Sequence, residues 1–312
     1  MTASFAQRII AWQRHCGRHD LPWQGTRDPY AIWVSEIMLQ QTQVAAVIPY
    51  YQRFMTQFPD LASLASAAED RVLEHWSGLG YYSRARNLQR AAQLIMSQYG
   101  GRFPQSLETM QALPGIGRST AAAILAFAFG QRQAILDGNV KRVLTRCFGI
   151  AGWPGQPAIE KSLWALAENL LPQADMIAYT QGLMDLGATL CTRSKPRCSD
   201  CPLATQCISR RDGLTAQLPT PRPQPRQAMP QKQTVMLLLL AGSEILLEKR
   251  PPSGIWGGLW SLPEIGLTED PQQAVQLRYG LDTRLLPALP GFKHAFTHFR
   301  LHVTPQPLLV VT

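Results

Sequence analysis

Four of the six cysteines are crowded into one short stretch of the chain. They are Cys191, Cys198, Cys201 and Cys207, in the spacing Cys-x6-Cys-x2-Cys-x5-Cys. Ligation by cysteine alone at such close spacing is typical of an iron–sulfur cluster. A Cys-x2-Cys pair is also half of many zinc sites, so zinc stays open as an alternative. The single pair and the lack of a nearby histidine favour the cluster.

The loop inside this cysteine stretch is basic, with Arg193, Lys195 and Arg197 between the first two cysteines. The whole chain carries a net charge of +9. Its first 210 residues hold 20 Lys/Arg against 14 Asp/Glu, which gives +6, and the remainder holds 10 against 7, which gives +3. Excess positive charge fits a polyanionic partner such as nucleic acid.

The chain divides into a helical part and a strand-rich part. Residues 1 to about 210 repeat apolar residues with helical spacing, as in one segment from Tyr30 to Tyr51, and predict a mostly α domain. Residues 211–233 contain five prolines and predict an extended linker. From Thr234 the pattern changes to strands, beginning with Val235 to Leu240, and predicts a small α+β domain over 234–312.

A glycine-rich turn precedes an alanine-rich helix. Leu113-Pro114-Gly115-Ile116-Gly117 leads into Arg118-Ser119-Thr120. The amides of such a turn and the N-terminus of the next helix form an anion site, as in a helix–hairpin–helix motif. A plain turn between helices is the commoner meaning of Gly-x-Gly. The basic cysteine loop favours the phosphate-binding interpretation.

Two carboxylates lie in unusual surroundings. Glu36 is the only acid between Asp28 and Asp60 and lies in an apolar helical segment. Burial would raise its pKa and suit it to act as a general acid, although a solvent-facing position is an equal alternative. Asp137, just before a predicted helix, is expected to be an N-cap that stays ionised.

These motifs together carry a resemblance to a known family. The cysteine spacing and the hairpin resemble the endonuclease III superfamily of DNA glycosylases. Three longer motifs resemble the adenine DNA glycosylase family within it. They are Trp33-Val34-Ser35-Glu36 running into Met38-Leu39-Gln40-Gln41-Thr42-Gln43-Val44, Gly78-Leu79-Gly80-Tyr81-Tyr82, and Leu136-Asp137-Gly138-Asn139-Val140.

The resemblance implies removal of adenine mispaired with 8-oxoguanine or guanine in double-stranded DNA, and a [4Fe-4S] cluster on the four cysteines. It implies that Glu36 protonates adenine and later activates water. Asp137 would stabilise the cationic sugar, directly or through a transient covalent adduct, with Asn139 orienting it. Tyr81 would wedge into the base stack near Gln41, Thr42 and Leu79, and Tyr82 is the better candidate for a core aromatic.

Ser119 separates two branches of the superfamily. Relatives that also cut the DNA backbone carry a lysine at this position as a Schiff-base nucleophile. Serine cannot form an imine, and no lysine lies between Met1 and Lys141. The resemblance therefore implies a monofunctional glycosylase that leaves an abasic site.

The C-terminal part resembles the Nudix-like domain of the same family, through Arg250-Pro251-Pro252-Ser253-Gly254-Ile255-Trp256-Gly257-Gly258-Leu259-Trp260. Glu264, Glu269 and Asp270 do not make the glutamate-dense magnesium helix of Nudix hydrolases, so this domain is expected to bind rather than hydrolyse. Phe296-Thr297-His298 matches the loop that contacts 8-oxoguanine, with threonine in place of the usual serine. His294 and His298 could instead be ordinary strand residues. The family pattern continues with a helix after Thr312, so a short or truncated domain is expected.

Three alternatives remain at this point. They are a bifunctional pyrimidine glycosylase with lyase activity, a non-catalytic iron–sulfur protein that binds DNA, and a ferredoxin-like electron carrier. The start of the chain contains no basic-then-apolar signal segment. Together with two isolated cysteines, this predicts a reducing compartment, the cytoplasm. We also expect a monomer that associates with the nucleoid and has no membrane partner.

Overall fold

The computed structural model describes residues 3–223, 229–296 and 298–311. The chain forms two compact units, Met1–Pro223 and Gln224–Thr312. The division falls inside the predicted linker. Within the described residues, no helix is long and apolar enough to cross a membrane.

The first unit is built from helices joined by short loops. They are α1 (Phe5–Cys16), α2 (Pro29–Leu39), α3 (Val44–Gln57), α4 (Leu61–Ser66), α5 (Glu69–Trp76), α6 (Ser83–Gln98), α7 (Leu107–Gln111), α8 (Arg118–Phe129), α9 (Gly138–Phe148), α10 (Pro157–Asn169), α11 (Met176–Asp185) and α12 (Ile208–Arg211), with a π-helix at Leu186–Leu190 directly after α11.

Side-chain caps fix where several of these helices begin. Asp28 accepts hydrogen bonds from two backbone amides at the start of α2, and Pro29 occupies its first position. Ser4 and Asp60 form capping boxes at α1 and α4. Such caps satisfy backbone donors that have no partner inside the helix. The polar residues Ser4, Asp28 and Asp60 therefore fix where α1, α2 and α4 begin.

Helix α2 lies in the core of the first unit, with Trp33, Val34 and Met38 fully buried. It packs against α8, whose run of alanines from Ala121 to Ala123 is also buried. Small side chains allow two helices to approach closely, so larger residues of α2 can fill the space between them. This packing brings α2 and the N-terminal end of α8 to one site.

The predicted continuous helix from Tyr30 to Tyr51 is wrong in one respect. The structure breaks it between Leu39 and Val44, where Gln41 adopts a left-handed backbone conformation with φ of 58°. Neither glycine nor proline marks the break, and the apolar pattern runs across it. Contacts from α6, described below, hold the break open, and these are tertiary contacts that periodicity cannot reveal.

The second unit is a small α+β fold. It contains β1 (Gln231–Ala241), β2 (Glu244–Ile245), β3 (Glu248–Lys249), β4 (Trp260–Ser261), β5 (Glu264–Ile265), α13 (Pro271–Tyr279), β6 (Thr283–Leu285), β7 (Phe292–Ala295) and β8 (Arg300–Val310). Strand β1 starts at Gln231, before the predicted Thr234, because its parallel pairing with β8 begins with Gln231 opposite Arg300.

The two long strands form the centre of the sheet. Strands β2 and β5 pair with β1, and β6 and β7 pair with β8, all antiparallel. Leu237, Leu239 and Leu308 are buried with Val275 of α13 in the hydrophobic core. The other face buries Leu301 and Val303 beside a group of aromatic residues.

Candidate active site

A cavity of about 990 Å³ in the first unit is lined by both candidate catalytic carboxylates. Glu36 reaches it from α2 and Asp137 from the start of α9. Ser119 from α8 and Asn139 also line it. Residues from three separate segments of the chain therefore face one space, which is large enough for a nucleobase and part of a sugar.

Glu36 points into the cavity rather than onto an open helix surface. The residues on both sides of it, Ser35 and Ile37, are buried. The side chain keeps some exposed surface only toward the cavity, and the surrounding protein desolvates its carboxyl. This burial, with a smaller contribution from the charge of Asp137, raises the pKa of Glu36 to about 8. A carboxyl with such a pKa holds its proton at neutral pH.

Asp137 is both an N-cap and a cavity residue. Its Oδ1 accepts a 2.8 Å hydrogen bond from Val140 N, and its Oδ2 accepts a 3.1 Å bond from Asn139 Nδ2. Burial raises the pKa of Asp137, while these hydrogen bonds and the charge of Arg142 act in the opposite direction. Burial is the largest of these effects, and the hydrogen bonds and the charge of Arg142 are the contacts that favour the charged form of Asp137.

Arg142 supports this arrangement and was missed by the sequence reasoning. Its Nη2 donates to Asn139 Oδ1 at 2.7 Å and to Gly187 O at 2.7 Å, and its Nε donates to Cys191 O at 2.6 Å. A Cβ on Gly187 would lie 2.5 Å from Asn139 Cβ, so the π-helix approaches the start of α9 closely. The helical spacing of Asn139 and Arg142 was the available signal.

Ser119 contacts the backbone that leads to Asp137. Its Oγ accepts a 3.0 Å hydrogen bond from Leu136 N, so it links the start of α8 to the residue before Asp137. No lysine side chain stands at this position. The hydroxyl of Ser119 therefore holds a local backbone contact beside the cavity.

The predicted hairpin connects α7 to α8. Gly115 has φ of +78°, and a Cβ there would lie 2.9 Å from Asn87 Cβ. Ile116 is buried and anchors the turn, and Gly117 is the N-cap of α8 with no side-chain cap bond. A turn of this kind leaves the N-terminus of α8 available to an anion.

Two loops carry the residues expected to enter DNA. Gln41 and Thr42 lie in the break between α2 and α3. Tyr81 lies between α5 and α6, is 45% exposed, and has φ of 49°. Leu79 is buried, and Tyr82 is half-buried with its hydroxyl accepting a 3.2 Å bond from Gly78 N. Of the two neighbouring tyrosines, Tyr81 is therefore the one whose side chain is exposed.

The four clustered cysteines surround a second, small and apolar cavity. All four are free thiols. Arg146 lies beneath them and donates from Nη1 to Cys191 Sγ at 3.5 Å. In the described part of the chain, no three Cys, His, Asp or Glu side chains are close enough together to hold a single metal ion. The thiols therefore face a shared space without forming a compact mononuclear site.

In the second unit, Phe296 and His298 lie in an aromatic group. The Phe296 ring is stacked on Phe299 at 4.6 Å between centroids and lies 5.3 Å from the ring of Trp256. His298 is exposed and lies 5.3 Å from Phe299, and His294 belongs to β7. Thr297 lies outside the described residues.

The three acids considered for magnesium have other partners. Glu264 Oε1 forms a 2.5 Å ion pair with Arg250 Nη1. Glu269 accepts from Gly266 N at 2.7 Å, and Asp270 caps α13. Each of these three carboxylates therefore has its own local partner.

Comparisons with known proteins follow the same division of the chain. Residues 34–169 match the HhH-GPD superfamily of base excision DNA repair proteins, and residues 234–310 match the NUDIX domain. These matches confirm the predicted fold class.

Several relatives match along most of the chain. The adenine DNA glycosylase of Buchnera aphidicola subsp. Acyrthosiphon pisum (strain APS) is 38% identical over 301 residues, which cover 96% of this chain and 85% of that protein. The adenine DNA glycosylase of Homo sapiens is 36% identical, over 96% of this chain and 65% of that protein.

Solved structures resemble the helical unit. A thermostable thymine-DNA glycosylase superposes with a TM-score of 0.61 at 32% identity, covering 67% of this chain and 95% of that one. A non-covalent endonuclease III–DNA complex gives a TM-score of 0.57 at 20% identity, covering 67% and 94%, and shares the fold.

Proposed function

The chain belongs to the adenine DNA glycosylase family, and from that premise we propose that it removes adenine mispaired with 8-oxoguanine or guanine in double-stranded DNA. It is a base excision repair enzyme that hydrolyses the N-glycosidic bond of adenine. The observation that carries the proposal is the pair of carboxylates on one cavity, with contacts that favour charge on Asp137 and burial that favours a proton on Glu36.

Glu36 acts first, as the general acid. Its raised pKa keeps the carboxyl protonated at neutral pH, so it can donate that proton to a ring nitrogen of adenine. The C–N bond then breaks with its electron pair moving to the base, which leaves as neutral adenine. The resulting Glu36 carboxylate can accept a proton from water.

Asp137 acts on the sugar. The bond cleavage leaves an oxocarbenium ion, and a carboxylate held at a helix N-terminus by Val140 and Asn139 stabilises that positive charge, as an ion pair or through a transient covalent adduct. Water activated by Glu36 then adds to the sugar carbon and yields an abasic site. Asn139 keeps Asp137 oriented through both steps.

The base must leave the duplex before this chemistry. Extrusion of a mispaired purine costs less than that of a paired one, and a side chain that takes its place offsets the lost stacking. The exposed ring of Tyr81 and the neighbouring Gln41, Thr42 and Leu79 support this role. Gly115 and Gly117 of the hairpin supply amides for the DNA backbone.

The four cysteines are the ligands proposed for a [4Fe-4S] cluster. Their thiols line one small apolar cavity, and ligation by four cysteines at close spacing suits such a cluster. Hydrolysis needs no electrons, so the cluster would supply structure and would hold the basic loop of Arg193, Lys195 and Arg197 against DNA. We expect a monomer that works in the cytoplasm on nucleoid DNA.

Ser119 supports a monofunctional reaction. Its hydroxyl accepts from Leu136 N and cannot form an imine with the sugar. Strand breaks are therefore expected only after alkali. Borohydride reduction should trap no stoichiometric protein–DNA adduct.

The second unit is proposed to read the damaged base. The exposed His298 beside the Phe296 and Phe299 rings offers a polar and an aromatic contact to 8-oxoguanine. Thr297 keeps the hydroxyl of the family's usual serine and adds a methyl group. We propose that Phe296, Thr297 and His298 together favour 8-oxoguanine over guanine opposite adenine.

The decisive assay measures free adenine and strand breaks with duplexes that carry adenine opposite 8-oxoguanine, guanine or thymine, and with a duplex that carries an oxidised pyrimidine. Adenine release from the two mispairs, with breaks only after alkali, supports the proposal. Pyrimidine release with direct breaks would indicate the lyase branch. Tight DNA binding without any base release would indicate a non-catalytic DNA-binding protein. A protein that does not bind DNA at all would instead agree with the ferredoxin-like electron carrier.

Glu36→Gln serves as the matched control because it preserves size and hydrogen bonding but cannot transfer the proton. We expect adenine release to fall by about 10²–10⁴-fold while DNA binding persists. If the parent protein and Glu36→Gln released adenine at the same rate, Glu36 would not be the general acid.

A further inference from the structure

Arg84 is a buried arginine near the N-terminus of α6, only 8% exposed. Its guanidinium is the centre of a dense set of hydrogen bonds. Nη1 donates to Ile37 O at 3.0 Å, Met38 O at 2.8 Å and Gln40 O at 2.6 Å, and Nη2 donates to Thr42 Oγ1 at 3.3 Å, Leu79 O at 3.3 Å and Gly80 O at 3.1 Å.

The acceptors belong to two separate segments. One set lies in the last turn of α2 and the loop after it, and the other lies in the loop between α5 and α6. A planar guanidinium presents donors in a rigid fork, so one side chain fixes the separation of both loops. All six acceptors are neutral oxygens, and burial lowers the pKa of Arg84 to about 10, which still leaves it charged at neutral pH.

Each loop contains a strained residue next to an Arg84 acceptor. Gln40 O precedes Gln41, with φ of 58°, and Gly80 O precedes Tyr81, with φ of 49°. A left-handed conformation is unfavourable for a non-glycine residue and persists only where surrounding contacts enforce it. Arg84 supplies such contacts to both residues at once.

Aromatic residues make further contacts in the loop between α5 and α6. The Arg84 guanidinium lies 5.4 Å from the Trp76 ring centroid and 5.5 Å from that of Tyr81. Trp76 Nε1 also donates to Gly80 O at 3.1 Å. The Tyr81 backbone and ring are thus both restrained from beneath, although the ring itself is exposed.

We propose that Arg84 is a positioning residue that holds the segments 39–42 and 79–82 at a fixed separation, so that Gln41 and Tyr81 enter the base stack together and extrude adenine. This inference rests on the proposed function. Arg84 itself touches neither the base nor the reacting sugar. Its effect is on extrusion, and the proton transfer by Glu36 is independent of it.

The test separates extrusion from chemistry. In a Glu36→Gln background, which stops cleavage, we would bind a duplex with 2-aminopurine opposite 8-oxoguanine and record its fluorescence, which rises when the base leaves the stack. Arg84→Met removes the fork in this background. Arg90→Met is the matched control, because Arg90 is an exposed arginine on the same helix.

The fluorescence increase should be largely lost in Arg84→Met and kept in Arg90→Met. With Glu36 present, the single-turnover rate of adenine release at saturating protein should fall by about 10²-fold in Arg84→Met. Loops that are no longer held at the right separation would leave the adenine out of position for the reaction. The pH at which the residual rate declines should not move. Unchanged fluorescence and rate in folded Arg84→Met would overturn the inference.

Arg84→Lys keeps the test decisive if Arg84→Met does not fold. Lysine retains the charge but cannot bridge both loops, so the folded Arg84→Lys protein should also lose fluorescence. Fluorescence equal to that of the parent would overturn the inference. If the parent protein itself releases no adenine, the proposed function fails, which is a separate result from any effect of Arg84.

Discussion

A single proton on Glu36 connects the stability of the first unit to the chemistry of its cavity. The carboxyl is desolvated by the apolar residues of α2 and repelled by Asp137. Asp137 has hydrogen bonds from Val140 and Asn139 that favour its charged form. The two residues are alike in chemistry, and in the proposed mechanism their different surroundings give Glu36 the role of the acid and Asp137 that of the stabilising anion.

The rate of adenine release should decline at alkaline pH. The pKa of Glu36 is raised to about 8, so the acid is protonated below that pH and loses its proton above it. Single-turnover rates at saturating protein, measured from pH 6 to 10, should be flat and then fall about tenfold per unit of pH. A rate that keeps rising through this range would assign the acid to another group.

The same raised pKa predicts a stability difference. The carboxyl has an ordinary pKa near 4.5 when unfolded and about 8 when folded, so folding favours the protonated form. Its contribution is complete below about pH 4.5 and is lost as the pH rises toward 8, at about 1.4 kcal/mol per unit of pKa difference. Glu36→Gln, which never ionises, should therefore match the parent near pH 4 and exceed its stability by a few kcal/mol near pH 9. Urea denaturation at both pH values measures this, and an equal difference between the two proteins at both would contradict the burial of the carboxyl.

At the scale of elements, the sequence predicted those features that depend on interactions between neighbouring residues. The hairpin at Gly115 and the cap at Asp137 are short-range features, and the structure contains both. The break after Leu39 has no such signal, because Arg84 holds it from a helix more than forty residues away. Arg142 was missed for the same reason: its partners Gly187 and Cys191 are close only in the folded chain.

The hairpin glycines offer a matched pair of substitutions. Gly115 has φ of +78° and no room for a Cβ beside Asn87, whereas a Cβ at Gly117 would meet nothing within 4 Å and its φ is −83°. Gly115→Ala should lower the free energy of unfolding by about 1–3 kcal/mol, and Gly117→Ala by clearly less. Urea unfolding of both variants checks the difference. Equal losses would show that the positive φ does not matter to the fold.

At the scale of the whole molecule, charge and composition predicted a polyanionic partner, and the longer motifs predicted the family. Both carboxylates, the hairpin and the four cysteines lie in the unit Met1–Pro223. The residues expected to read 8-oxoguanine lie in the other unit, and Thr297 falls outside the described residues. Recognition of the base opposite adenine is therefore proposed from sequence motifs alone, whereas the cavity with both carboxylates is a feature of the structure.

This division predicts different losses for the two units. A fragment of residues 1–223 keeps the complete cavity with Glu36 and Asp137, so it should still release adenine from both mispairs. It lacks Phe296 and His298, so its preference for adenine opposite 8-oxoguanine over adenine opposite guanine should shrink toward one. The ratio of single-turnover rates on the two duplexes measures this preference, with the Glu36→Gln fragment as the inactive control. A fragment that folds and keeps the full preference would place damage recognition in the helical unit, because the second unit would be absent.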